Sequence, residues 1–300
     1  MKHRLLSGTA LTGLAGSAAC MATYLALASL ALAISPAFSA DMPIKAPAQA
    51  SACAVDGLNS KIAGLGGAFA NKSIYGTVGS IAAPINCAWG FQIDGAALNF
   101  DRRFLGTVGG HVFTRDPAKG LLGIYSAYTG WNGVKANHAG AEAEWYAGRW
   151  TIQGLAGVEF GNTTSQTVGT LIQTYEIKTR FFDQINLAYY ATDDLKLFVG
   201  HRYIGGKHAV ALGTEWGVSL QHGVMGALFA EGRIGEANLH GVSAGWRVYF
   251  GQKDKSLIRR HREDDPIDWG PGFGNTSNTG TTTSVPQPVS TPAPPPPGPT

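Results

Sequence analysis

The sequence predicts an all-β fold: a transmembrane antiparallel up-and-down β-barrel, most simply of 12 strands with 10 as the alternative count, followed by a disordered C-terminal tail. Three observations carry this. Between residues 58 and 250, apolar and polar residues alternate with period two over stretches of about 10 residues, the length of a tilted membrane strand. Aromatic residues sit near the ends of those stretches, where a girdle meets the membrane surface. No apolar run in this region approaches the ~20 residues of a membrane helix, and Gly recurs every few residues, which disfavours helices and suits closely packed strands.

In order along the 300 residues, 1–40 opens with Lys2 and Arg4, runs uncharged through 5–34 and ends in Pro36, Ala37, Ser39 and Ala40. This reads as a secretory signal peptide, with a membrane anchor as the rival. Cys20 lies inside it and is read as filler. Residues 41–56 form an Ala/Pro-rich linker and 57–250 the barrel. Residues 251–269 carry mixed charge, and 270–300 is a Gly/Thr/Ser/Pro tract that cannot bury a core. Lys2 and Arg4 leave with the signal, so the 23 basic residues fall to 21 against 20 acidic ones. Nothing in that balance points to a nucleic-acid partner.

Twelve candidate strands lie near 58–70, 74–83, 87–98, 105–115, 119–130, 137–147, 150–161, 177–190, 194–204, 208–218, 223–233 and 239–250. In the last, Val242, Ala244, Trp246, Val248 and Phe250 share one face, opposite Ser243, Arg247 and Tyr249. Residues 150–160 set Trp150, Ile152, Val158 and Phe160 against Thr151, Gln153 and Glu159. An even count puts both barrel ends on one side, which the secretory context makes periplasmic. The longest connection, 161–175, then faces outside. One strand is imperfect: Asp183 falls among Phe181, Ile185, Leu187 and Tyr189, which calls for a bulge or a different register.

The strand ending in Trp246, Val248 and Phe250 resembles the terminal aromatic signature read by the outer-membrane assembly machinery, although 50 residues follow it here. With the mature start Ala40-Asp41-Met42-Pro43-Ile44-Lys45-Ala46-Pro47 and the barrel ending before Gly251-Gln252-Lys253, the chain resembles the small porin-like outer-membrane β-barrel proteins of Gram-negative bacteria. That resemblance implies an outer-membrane location with both termini periplasmic. The partners it implies are outer-membrane lipid and the barrel-assembly machinery; the charged segment and tail add the cell wall as a candidate contact. It supplies no catalytic residues and no cofactor, and oligomeric state is left open.

Inward parity assigns a charged lumen to Asp94, Glu142, Glu144, Glu159, Lys196, Arg202, Glu215 and Arg247. Such a lining either conducts ions and small hydrophilic solutes or pairs across a closed interior. Cys53 and Cys87 fall on the same side of the barrel and are candidates for a disulfide in an oxidising compartment. A lipid-modifying barrel enzyme is the rival from another class, but period two sends Ser243 and His240 to opposite faces. His201, His208 and His240 lack metal-ligand spacing and read as rim or lumen histidines. Gly205-Gly206-Lys207 reads as a hairpin turn rather than a phosphate loop. The charges of 251–269 cancel, five against five, and read as a charged spacer, with a solvated periplasmic plug or wall-contacting tether as the alternative. The expected function is passive diffusion through a charge-lined porin, with a closed structural or surface-exposed barrel as the alternative.

Overall fold

The computed structural model describes residues 53–168, 171–236, 239–267 and 280–286; the expected signal peptide and residues 41–52 lie outside them. The strands are β1 (Asn59–Phe69), β2 (Lys72–Pro84), β3 (Trp89–Phe100), β4 (Arg103–Asp116), β5 (Gly120–Trp131), β6 (Val134–Ala147) and β7 (Trp150–Gly161). After these come β8 (Thr163–Val168), β9 (Leu171–Ile177), β10 (Arg180–Thr192), β11 (Leu195–Ile204), β12 (Lys207–Gln221), β13 (Val224–Gly235) and β14 (Gly241–Phe250). A short helix α1 (Leu257–Glu263) and strand β15 (Gly280–Pro286) follow.

Twelve of these strands close into one antiparallel barrel in the order β1-β14-β13-β12-β11-β10-β7-β6-β5-β4-β3-β2. The seam pairs β1 with β14 from Ser60↔Phe250 to Phe69↔Gly241. At its middle Gly64 lies opposite Trp246, and a Cβ on Gly64 would come within 2.8 Å of the indole. Glycine there lets a large lipid-facing ring lie flat across the closing pair. Turns such as Asn132-Gly133 and Gly205-Gly206 place both central residues at positive φ, the geometry that continues strand twist through a two-residue hairpin.

The barrel has two unlike ends. One, the termini end, receives both the start of β1 and the end of β14. The other carries the connection between β7 and β10, where β8 and β9 form a separate hairpin; β15 adds to β9 in antiparallel register, Gly280↔Ile177 to Pro286↔Leu171. Within the tract expected to be disordered, 280–286 is therefore a strand; 268–279 and 287–300 lie outside the described residues.

Alternation sorts the side chains as a membrane requires. Ile93, Leu122, Ile124, Leu212 and Leu228 are exposed on the outer wall. Trp89, Trp145, Trp150, Trp216 and Phe250 ring it near the termini end, and Tyr75, Phe104, Tyr128, Phe160 and Phe181 ring it near the hairpin end. Two aromatic girdles about an apolar band are the outer surface of a protein whose solvent is lipid.

Asp183 needs no bulge. β10 pairs continuously with β7 across this position, and its irregularity falls at Tyr190/Thr192. The carboxylate stays on the outer face near the hairpin end and meets His201 Nδ1 at 2.9 Å, while His201 Nε2 lies 3.0 Å from His208 Nδ1. Close to the rim, a hydrogen-bonded polar group on the lipid face costs little.

Candidate functional site: a charged lumen and its plug

Lumen chemistry begins with strand parity, which turns every second side chain inward. Seven of the eight charged positions expected inside, Asp94, Glu142, Glu144, Glu159, Lys196, Arg202 and Glu215, are buried there, and Arg247 is nearly so. The same parity also brings in Lys61, His111, Arg115, His138, Glu231 and Arg233, which the sequence reading passed over. Reading strict alternation through every strand would have found them.

On the β3–β7 wall the carboxylates are held by the barrel wall itself. His111 bridges two carboxylates, Nε2 to Asp94 at 2.7 Å and Nδ1 to Glu142 at 2.9 Å, and Gln92 donates to Asp94 at 2.7 Å. Tyr146 and Gln153 donate to Glu144 at 2.8 and 3.3 Å. Glu159 takes the Gly205 backbone N–H at 3.0 Å, with Arg180 at 3.2 Å.

The wall of β11 to β14 and β1 is built differently. Glu215 gathers Arg247 at 2.8 Å, the Tyr249 hydroxyl at 2.5 Å and Lys196 at 3.7 Å, and Glu231 holds Arg233 at 2.7 Å. Lys61, Lys196, Arg202, Arg233 and Arg247 thus converge on one cavity against two wall carboxylates.

What completes this second wall comes from the segment expected to be a charged spacer. Lys255, Arg260, Glu263, Asp264 and Asp265 are all at most 5% exposed, so the spacer expectation is corrected for 255–267, which sit in the barrel, while 252–254 are exposed. Helix α1 is held together by Arg259–Glu263 and Arg260–Asp264 pairs one turn apart, with Arg260, His261 and Arg262 at its C-terminal end, where the dipole favours cations. Leu257 packs with Met225, Ala227 and Tyr249. Arg262 donates to Trp150 O at 2.9 Å and Thr151 Oγ1 at 3.0 Å, and its guanidinium lies 4.9 Å from the Tyr146 ring centroid. Asp265 pairs with Lys61, whose ammonium also donates to Pro266 O at 3.3 Å. Deeper still, Ile267 packs against Tyr125, Ala127, Leu155 and Phe182. These contacts reach β1, β5, β6, β7, β10, β13 and β14, so the segment spans the lumen from wall to wall.

His261 sits at the centre of this plug. Its Nδ1 lies 2.8 Å from the Tyr190 hydroxyl and its Nε2 3.0 Å from that of Tyr249. Tyr249 already donates to Glu215, so it accepts from Nε2–H while Tyr190 donates to Nδ1, which satisfies a neutral imidazole at both nitrogens. Burial, reinforced by Lys196, Lys61 and Arg247 and opposed by Glu215, holds its pKa well below the ordinary 6.5. Burial also raises the Asp264 carboxyl to about 6 despite its contact with Lys255.

The N-terminal segment locks the same end. Cys53 and Cys87 are joined in a disulfide, and the Ala54 N–H donates to Cys87 O at 2.8 Å. Val55 packs with Phe113 and Leu121, and Asp56 meets Lys253 at 3.2 Å and Lys255 at 2.9 Å while its N–H donates to Glu263 O at 2.9 Å. Burial alone would raise the Asp56 carboxyl, but these two lysines outweigh it and hold it below its usual range. Between plug and walls remains a cavity of about 110 Å³. Toward the hairpin end, Phe69, Ile74, Leu98, Phe100, Leu105, Trp131 and Val134 turn inward as an apolar cluster.

Trp246 and Phe250 of the last strand face outward. Ser243 is buried inward, whereas His240 lies near Asn71 at the opposite rim, 3.4 Å from its Oδ1, so the two form no lipid-facing pair. No group of three or more metal-ligating side chains comes together among the described residues.

No protein-family model and no curated protein matches the sequence. Among solved structures, the chain is similar to an outer membrane channel from Pseudomonas putida F1, with 9% identity and TM-score 0.48, covering 71% of this chain and 99% of that one. It is also similar to the KdgM porin, with 4% identity and TM-score 0.42, covering 64% and 98%. A third is the translocator domain of the autotransporter NalP from Neisseria meningitidis, with 13% identity and TM-score 0.43, covering 81% and 100%. These are likenesses of fold. A closed barrel of twelve strands, an apolar wall between two aromatic girdles and a charged interior make the chain an outer-membrane β-barrel of porin-like architecture.

Proposed function

We propose that this chain is an outer-membrane barrel of porin type whose lumen, suited to small hydrophilic solutes, is kept closed by its own residues 251–267. The observation that carries this reading is the wall-to-wall seating of that segment, which leaves a cavity of about 110 Å³ where a diffusion pore needs a continuous aqueous path. Solutes pass when the plug leaves. The barrel ends at Asn59 and Phe250 face the periplasm, a placement supported by the long β7–β10 connection lying at the opposite end. Trp246, Val248 and Phe250 serve as the assembly signature, lipid and the assembly machinery are the partners, and no reaction is catalysed.

Planar-bilayer recording tests this. The full chain is expected to stay closed with rare brief openings. A variant lacking 251–300, checked for folding by heat-modifiable gel mobility, should show stable conductance steps. A second reading, a permanently closed structural barrel, is favoured by the apolar cluster near the hairpin end. Silence from the folded truncated barrel would select it and remove the pore.

A further inference from the structure

The two carboxylates of the β11–β14 wall are each shared by two cations, and in both cases one cation is left at the margin of the contact. Glu215 gives its short contacts to Arg247, at 2.8 Å, and to the Tyr249 hydroxyl, so Lys196 reaches it only at 3.7 Å. Glu231 lies 2.7 Å from Arg233, and Arg202 reaches it only at 3.9 Å. Both outer distances exceed a hydrogen bond. The hydrogen bonds that Arg202 does make come from Nη1 and go to neutral acceptors, Ile185 O, Asn186 Oδ1 and His201 O, while its buried Nε has no partner. Lys196 and Arg202 are at most 7% exposed, point inward from the same strand and line the cavity between plug and walls. We propose that this cavity is a binding site for a small oxyanion of the phosphate or sulfate class, with Lys196 and Arg202 as its principal cations.

Charge, shape and volume select this class of ligand. A buried cation at the margin of a shared carboxylate is costly unless further negative charge reaches it. Water in the cavity supplies acceptors but no charge. Nor does the described part of the plug bring these two cations a carboxylate: His261 is satisfied as a neutral imidazole by Tyr190 and Tyr249, Pro266 and Ile267 carry no charge, and Asp265 is taken by Lys61. An ammonium and the edge of a guanidinium offer directional N–H donors. A tetrahedral oxyanion meets them with acceptors in several directions, which a monatomic halide does not. Gln184 and Ser243 face the same cavity and add neutral donors. Two glycines make the room. Phe198 lies across Gly213, where a Cβ would come within 2.3 Å of the ring, and the Arg202 guanidinium lies against Gly200, where a Cβ would meet Nη1 at 2.6 Å. With these side chains flat on the wall, about 110 Å³ stays open, several times the roughly 10–15 Å³ that one water requires.

The site rests on the closed lumen and not on the plug ever leaving, so a barrel that never conducts still binds, and the two failures are separable. The full chain is folded into detergent in the presence of radiolabelled inorganic phosphate, so that entry past the plug does not limit occupancy. Bound phosphate is then measured by equilibrium dialysis at constant ionic strength. Saturable binding of a single phosphate per chain is expected, displaced by sulfate but not by the same concentration of chloride. Lys196→Gln and Arg202→Gln, each checked for folding by heat-modifiable gel mobility, should each weaken the affinity about tenfold or more, because each removes a charged hydrogen bond to the ligand. Lys72→Gln, which alters an exposed pair with Asp101 at the rim, should bind as the parent does. Absence of saturable binding by the folded parent chain overturns the proposal. So does an affinity left unchanged in either folded lumen variant, or displacement by chloride as effective as that by sulfate.

Discussion

The two walls of the lumen bury similar numbers of charges and neutralise them in different ways. On the β3–β7 side the carboxylates find their partners in the barrel wall itself, as in the Asp94–His111–Glu142 bridge, with Glu159 reaching Arg180 on β10 and the Gly205 N–H of the β11–β12 turn. On the side formed by β11–β14 and β1, the wall is completed by a segment that folds back into it: Lys61 takes Asp265 from the plug, and Glu215 lies 3.5 Å from His261. A buried ion pair contributes little net stability when intact, but removing one member leaves a costly uncompensated charge. The first wall is therefore a fixed structural lining. The second is completed by the plug, and withdrawal of the plug would leave Lys61 without the Asp265 carboxylate that neutralises it.

Substitutions on the two sides sharpen this contrast. The largest effect is expected from Glu215→Gln, which leaves Arg247 and Lys196 without their carboxylate. The loss should be about 3–5 kcal/mol, read as a lower midpoint in urea unfolding from detergent or lipid. His111→Gln should cost about 1.5–3 kcal/mol in the same assay through its two lost charged hydrogen bonds, yet leave bilayer conductance as quiet as in the parent protein. Conductance that rises with His111→Gln would break the distinction between the walls. Asp265→Asn weakens only the plug's hold on Lys61. A change of about 1–2 kcal/mol toward the open state is expected, seen as roughly five- to thirtyfold more frequent openings with little change in unfolding midpoint.

The smallest and most diagnostic effect is with pH. His261 has a lowered pKa when docked, so its contribution to docking is fully present above 6.5 and is lost as pH falls below that value. Asp264 has a raised pKa of about 6 against an ordinary 3.8, so its burial penalty is present above pH 6 and relieved as pH falls toward 4. The two slopes oppose each other in the same window. Asp264→Asn should therefore open more readily on acidification below pH 6.5, and His261→Gln should open less readily between pH 6 and 4. Identical pH profiles for these two variants would remove the titration account.

Much of the barrel was legible because its signal is local. Period two in β14 separates Trp246 and Phe250 from Ser243 and Tyr249 without knowledge of any neighbour, and the same holds for Trp150 and Glu159 in β7. Parity then placed Cys53 and Cys87 at one end, where they are bridged. Asp183 misled because its compensation comes from His201 on the next strand, which alternation along one strand does not reveal. The charged stretch 251–267 misled for the same reason on a larger scale. Its cations and anions cancel in composition, so it reads as a solvated run, whereas Lys61, Trp150, Thr151 and Tyr190, 71 to 205 residues away where they hydrogen-bond it, receive it in the lumen.

What the sequence determined by itself is the approximate position and the facing of the wall strands, with their number left at 12 or 10, since facing is set by the requirement that alternate side chains meet lipid and lumen. Whether that lumen is open was decided by tertiary structure alone. Filling it depends on contacts between α1 and strands distant in the chain, and the free energy of burying Asp265 beside Lys61 or His261 between two tyrosines exists only once the barrel has closed around them.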